Sequence, residues 1–219
     1  NKIRAMTRRA FIQQVLRQVY GGQPNDDSMI TELLANQYLS QAIGMVAKAN
    51  YVESIKIDGV GYINSGFIKT YSGLAFTEED IFTYKATLPQ VPVGIGQNEG
   101  IQSLRIKQDG MDGATGKSVD GIPLSMNQLG INRGRRLIPN RFEYWFEGGE
   151  VFVTTTGQDL SIGYTDIARI VSGGDSTDLD SVLNVPSDYL PLISGYVIKM
   201  LAAQRMQAKQ QVVNDGVPD

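Results

Sequence analysis

The sequence predicts an α+β fold in which a helical layer, formed by two N-terminal helices and a long C-terminal helix, carries an inserted antiparallel β domain. Three observations predict it. Apolar residues recur at helical spacing near both ends; after Tyr51 the apolar period shortens from about 3.6 to about 2; and "RFEYWFEGGEVFVTTT" alternates on both sides of Gly148-Gly149 as a hairpin must. The implied organisation is a helical base from residues 1–50 and 185–214, a β domain with long Gly-rich loops over 51–172, and a linker over 173–184.

The elements follow in order. Thr7 suits an N-cap, and Phe11, Ile12, Val15, Leu16 and Val19 keep helical spacing until Gly21-Gly22 stops the run. After the polar turn "QPNDDS", Asp27 or Ser28 is placed to cap a second helix that runs to about Asn50. Ile30, Leu33, Leu34, Leu39, Ile43, Val46 and Ala47 form its apolar side. Ile55-Lys56-Ile57 reads as a strand broken by Gly59 and Gly61, with more strand-like residues over Tyr62 to Tyr71. "FTYKATL" and "IQSLRIK" read as further strands, and "LSIGYTDIARIV" as a third antiparallel strand beside the hairpin. Finally, Ser187 is placed to cap a helix with Pro191 in its first turn, where a missing N–H does least harm, ending at Asn214-Asp215-Gly216.

Composition excludes whole classes of chemistry. The chain has 219 residues, a formal net charge of −3, and neither cysteine nor histidine. Disulfides, Cys/His zinc sites, Cys nucleophiles and Ser-His-Asp triads are therefore ruled out. No apolar run reaches the roughly 18 residues of a membrane span and no signal-peptide pattern opens the sequence, so no membrane partner is expected. Charge is uneven: residues 1–20 carry Lys2, Arg4, Arg8, Arg9 and Arg17 with no acid, whereas residues 151–219 carry four bases and eight acids. That asymmetry points to subunit contacts or to a passing polyanion rather than to tight nucleic-acid binding.

Two motifs invite nucleotide readings, and context rejects both. Gly116-Lys117-Ser118 ends like a phosphate-binding loop, but Met111 stands where that loop needs a small residue. Gly121 and Pro123 then oppose the helix that should follow. Gly94-Ile95-Gly96 follows Pro92 and lacks the spacing of a dinucleotide fingerprint. No cofactor and no metal site is expected. The Gly-rich stretch 109–140 ends in a basic knot at Arg133, Arg135 and Arg136, which can be a solvated surface or a contact for phosphate.

The order of signals in "MTRRAFIQQVLRQVYGGQPNDDSMITELLANQYLSQAIGMVAKANY", in "YKATLP", in the hairpin ending "EVFV" and in "VPSDYLPLISGYVIKMLAAQRMQAKQQVVNDG" resembles structural proteins of crAss-like tailed bacteriophages. The resemblance spans most of the chain and is weakest through residues 100–140. It implies a virion protein, assembled in the host cytoplasm, that forms a homo-oligomeric ring of twelve copies in the head-to-tail connector. Portal protein and adjacent tail ring proteins would be its partners, with transient, non-specific contact to the double-stranded viral DNA passing through. No catalytic residues are implied.

The residues themselves add that the second helix, apolar nearly all round from Leu33 to Val46, exceeds what three helices can cover in one copy, which predicts a partner. Candidate interface residues are Tyr38, Leu39 and Ile43 on that helix and the basic arm Arg4, Arg8 and Arg9, which would meet an acidic surface. Arg133, Arg135 and Arg136 are the candidates to face DNA. Two other classes compete: a carbohydrate- or receptor-binding β module with Tyr144, Trp145 and Tyr164 as an aromatic platform, and an enzyme using Glu143 and Glu147 as acid and base.

Overall fold

The computed structural model describes residues 6–22, 30–80, 83–95, 100–108, 118–124, 142–154, 162–171 and 178–214, with the backbone alone at 107–108, 162–167 and 207–214. The chain is α+β, and it divides into two compact units: residues 1–67 with 173–219, and residues 68–172.

The first unit is helical. Helix α1, Arg8–Tyr20, begins where the Thr7 hydroxyl accepts from the Ala10 N–H at 3.2 Å, and Phe11, Ile12, Val15 and Leu16 form its buried stripe. Helix α2, Glu32–Asp58, is capped by Thr31, whose hydroxyl accepts from the Leu34 N–H at 3.2 Å. The cap expected at Asp27 or Ser28 lies outside the described residues. Ala35, Leu39, Ala42, Ile43, Val46 and Ala47 bury the inner side of α2. A turn of 3₁₀ helix at Ser187–Tyr189 leads into α3, Leu190–Asn214, so Ser187 opens that turn rather than capping the helix. Among the described side chains of α3, Ile193, Val197 and Leu201 are buried.

Two expectations about this unit need correction. Helix α2 does not end near Asn50: Ile55-Lys56-Ile57, which alternates like a strand, forms its last turn. A two-residue alternation is too short to overrule a helix that is already nucleated and packed along its length. The terminator is Gly59, in the left-handed region at φ 71°, whose N–H donates to the Ile55 carbonyl at 2.9 Å. Likewise, residues 178–183 are not a free linker. Their backbone runs against the start of α1, with Arg8 N–H donating to the Ser181 carbonyl (3.0 Å), Arg9 N–H to Leu179 (2.7 Å) and Leu183 N–H to the Met6 carbonyl (2.9 Å).

The second unit is an eight-stranded sheet. Its strands are β1 (Ile68–Tyr71), β2 (Thr77–Asp80), β3 (Thr83–Thr87), β4 (Ile101–Gln108), β5 (Ser118–Pro123), β6 (Phe142–Glu147), β7 (Glu150–Thr154) and β8 (Ile162–Val171). They lie in the order β1-β8-β4-β5-β6-β7-β3-β2. All neighbours are antiparallel except β5 and β6, which run parallel. The predicted hairpin is β6–β7, with Glu147 opposite Glu150 and Gly148 and Gly149 both at positive φ (61° and 92°), as a two-residue turn of the hairpin hand requires.

Strand β8 is antiparallel as expected but does not extend this hairpin. It pairs with β1 and β4, and β3 takes the place beside β7. Local alternation identifies a strand without naming its neighbour. Phe76, Ala86, Ile101, Leu104, Ile106, Phe142, Tyr144, Val151, Val153 and Ile170 are among the residues of one continuous core on this sheet.

Candidate assembly interface

Among the described residues no group of carboxylates is arranged to hold a metal ion. Ser118 opens strand β5 and not a helix, so no helix N-terminus follows Gly116-Lys117 to face a phosphate. Glu143 and Glu147 share a face of β6, but four residues at about 3.4 Å per residue place their Cα atoms about 14 Å apart. Paired glycosidase carboxyls work at roughly 5–9.5 Å, and Glu147 sits at the exposed turn opposite another acid, Glu150.

The aromatic platform also dissolves. Tyr144 points to the core, 2% exposed, and burial pushes its phenol up to about 12. Trp145, its neighbour in sequence, lies on the opposite face of the strand and stacks on Phe152 at 5.3 Å with the planes 9° apart, so each ring covers part of the other's face. The Tyr164 side chain lies outside the described residues.

The helical unit uses its basic arm internally. Arg8 is 2% exposed; its Nε donates to Asn36 Oδ1 at 2.9 Å and its Nη2 to Ser40 Oγ at 2.8 Å, which ties α1 to α2. Arg9 pairs with Asp180 at 2.8 Å and with Glu32 at 3.1 Å. The hydrogen bond and charge of Arg9 hold the Asp180 carboxyl below its ordinary value, and Asp180 raises the guanidinium in return. The acids that receive Arg9 therefore belong to the same chain, because the folded-back 178–183 segment delivers Asp180 to it, while Arg8 is received by the neutral Asn36 and Ser40 of α2. Arg4 lies outside the described residues, as do Arg133, Arg135 and Arg136.

The candidates on α2 are corrected in the same way. Leu39 and Ile43 are 0% and 1% exposed, inside the unit's own core, since they face the same side as Ala35, Ala42 and Val46. Tyr38 is half-buried and its hydroxyl donates to Gln204 Oε1 on α3 at 3.0 Å.

The surplus apolar surface is real but lies elsewhere. Leu33 and Met45 are exposed on α2, as are Val52 (47%), Ile55 (42%) and Ile57 (72%) in its last two turns and Val60 (66%) and Tyr62 (52%) just past its end. Met45, Val52 and Ile55 recur at heptad a, a and d spacing, the pattern of a helix face that expects a partner. The tip they form is firmly held. Ser54 Oγ donates to the Tyr62 carbonyl at 3.0 Å and accepts from the Tyr62 N–H at 2.9 Å, and Asn50 accepts from the Asn64 N–H at 3.0 Å while donating to the Tyr189 hydroxyl at 2.8 Å. Reading Ile55-Lys56-Ile57 as a strand hid these positions; the helical spacing of Met45, Val52 and Ile55 ahead of Gly59 was the signal that could have found them.

Met6, Ala10, Gln13, Gln14, Arg17 and Gln18 line a shallow, open stretch of surface along the exposed face of α1. Among the described residues no helix is long and apolar enough to cross a membrane. Compared with known proteins, the chain matches no family model and no curated protein.

Proposed function

We propose that the chain is a ring-forming structural subunit of a tailed-phage head-to-tail connector. Twelve copies would close into a ring that links the portal to adjacent tail ring proteins and forms part of the DNA conduit. The observation that carries this reading is the apolar surface left outside the helical unit, five large side chains at 42–72% exposure within residues 52–62. Several large apolar side chains left in water close together along the chain favour association, and identical subunits associate into closed assemblies. A net charge of −3 suits a conduit that lets a polyanion slide, while Arg133, Arg135 and Arg136 would act as local guides for phosphate.

The test is direct imaging of the purified full chain, alone and with the portal protein of the same virion, alongside its mass distribution. Closed rings near twelve copies are the expected result. Single wedges under both conditions overturn the reading.

A further inference from the structure

We draw no further inference here: the strongest candidate, the exposed apolar side chains of Val52, Ile55, Ile57, Val60 and Tyr62 in the last turns of α2 and just past its end, carries nothing because these side chains point to different sides of the helix and nothing in the structure shows what covers them.

Discussion

The two units of this molecule treat their apolar residues in opposite ways. Among its described residues the sheet unit seals them: of the twelve large apolar side chains left exposed among the described residues of the chain, only Val91 belongs to it. Its two edge strands are short and charged. β2 is Thr77-Glu78-Glu79-Asp80, exposed throughout, and β1 is four residues long and carries Lys69, devices that discourage another strand from adding to the edge. The helical unit has a core of its own around Leu39, Ile43 and Ile193, yet it leaves a firmly held apolar tip in water. The difference teaches where association is to be sought: the described edges of the sheet discourage a further strand, whereas the helical unit leaves large apolar side chains in water.

The strongest challenge to that contrast is to damage each core. Phe142 is 1% exposed and central to the sheet core, and Phe142→Ala should cost about 3–5 kcal/mol through lost burial and the cavity left behind. Leu39→Ala should cost about 2–5 kcal/mol in the helical unit for the same reason. Denaturant melts followed by circular dichroism check both. By contrast Ile57→Asp, at 72% exposure, should change monomer stability by no more than about 0.5 kcal/mol while weakening assembly. If it destabilises the monomer as much as Leu39→Ala, the tip is part of a fold and not a surplus surface, and the contrast fails.

A second prediction sharpens the account of the sheet. Burial raises the Tyr144 phenol from 10.0 to about 12. Below pH 10 the phenol is protonated in both folded and unfolded chains, and its contribution is complete. From pH 10 the unfolded side chain ionises while the folded one holds its proton, so stability falls by about 1.4 kcal/mol per pH unit, roughly 3 kcal/mol in all, and levels off above pH 12. Tyr144→Phe should flatten that alkaline decline, read by chemical melts between pH 9 and 12 at intervals of about half a unit. A wild-type decline that the substitution leaves unchanged would place the tyrosine in water.

Sequence carried the α+β class, both N-terminal helices, the long last helix and the Gly148-Gly149 hairpin, because each is a local pattern: a cap, a period or a turn residue. It did not carry partners. Alternation named β8 a strand but could not say that β1 and β4 flank it, and apolarity all round α2 announced an excess without saying which side the core would take. Leu39 and Ile43 were as plausible outside as Met45 and Val52 until the positions of α1 and α3 fixed the inner face. Arg8 and Arg9 looked like a free arm because the residues that receive them, Asn36, Ser40, Glu32 and Asp180, lie up to 171 positions away in the chain.

That last contact gives the smallest of the expected effects. Arg9 bridges Asp180, from the segment folded against α1, and Glu32, at the start of α2, in a pair open to solvent. Exposed pairs contribute little and are screened by salt, so Asp180→Asn should shift the melt only slightly, and less at high ionic strength. Its sign is nevertheless fixed. The Asp180 carboxyl titrates below its ordinary 3.8 in the folded chain, so its contribution is complete above that value and is lost as pH falls through the lower, folded one. Wild type and Asp180→Asn should therefore differ slightly at neutral pH and converge in strong acid. A variant that destabilises strongly and independently of salt would mean that the 178–183 segment depends on this charge rather than on its backbone bonds to Met6, Arg8 and Arg9, whose amides and carbonyls hold it whatever the pH.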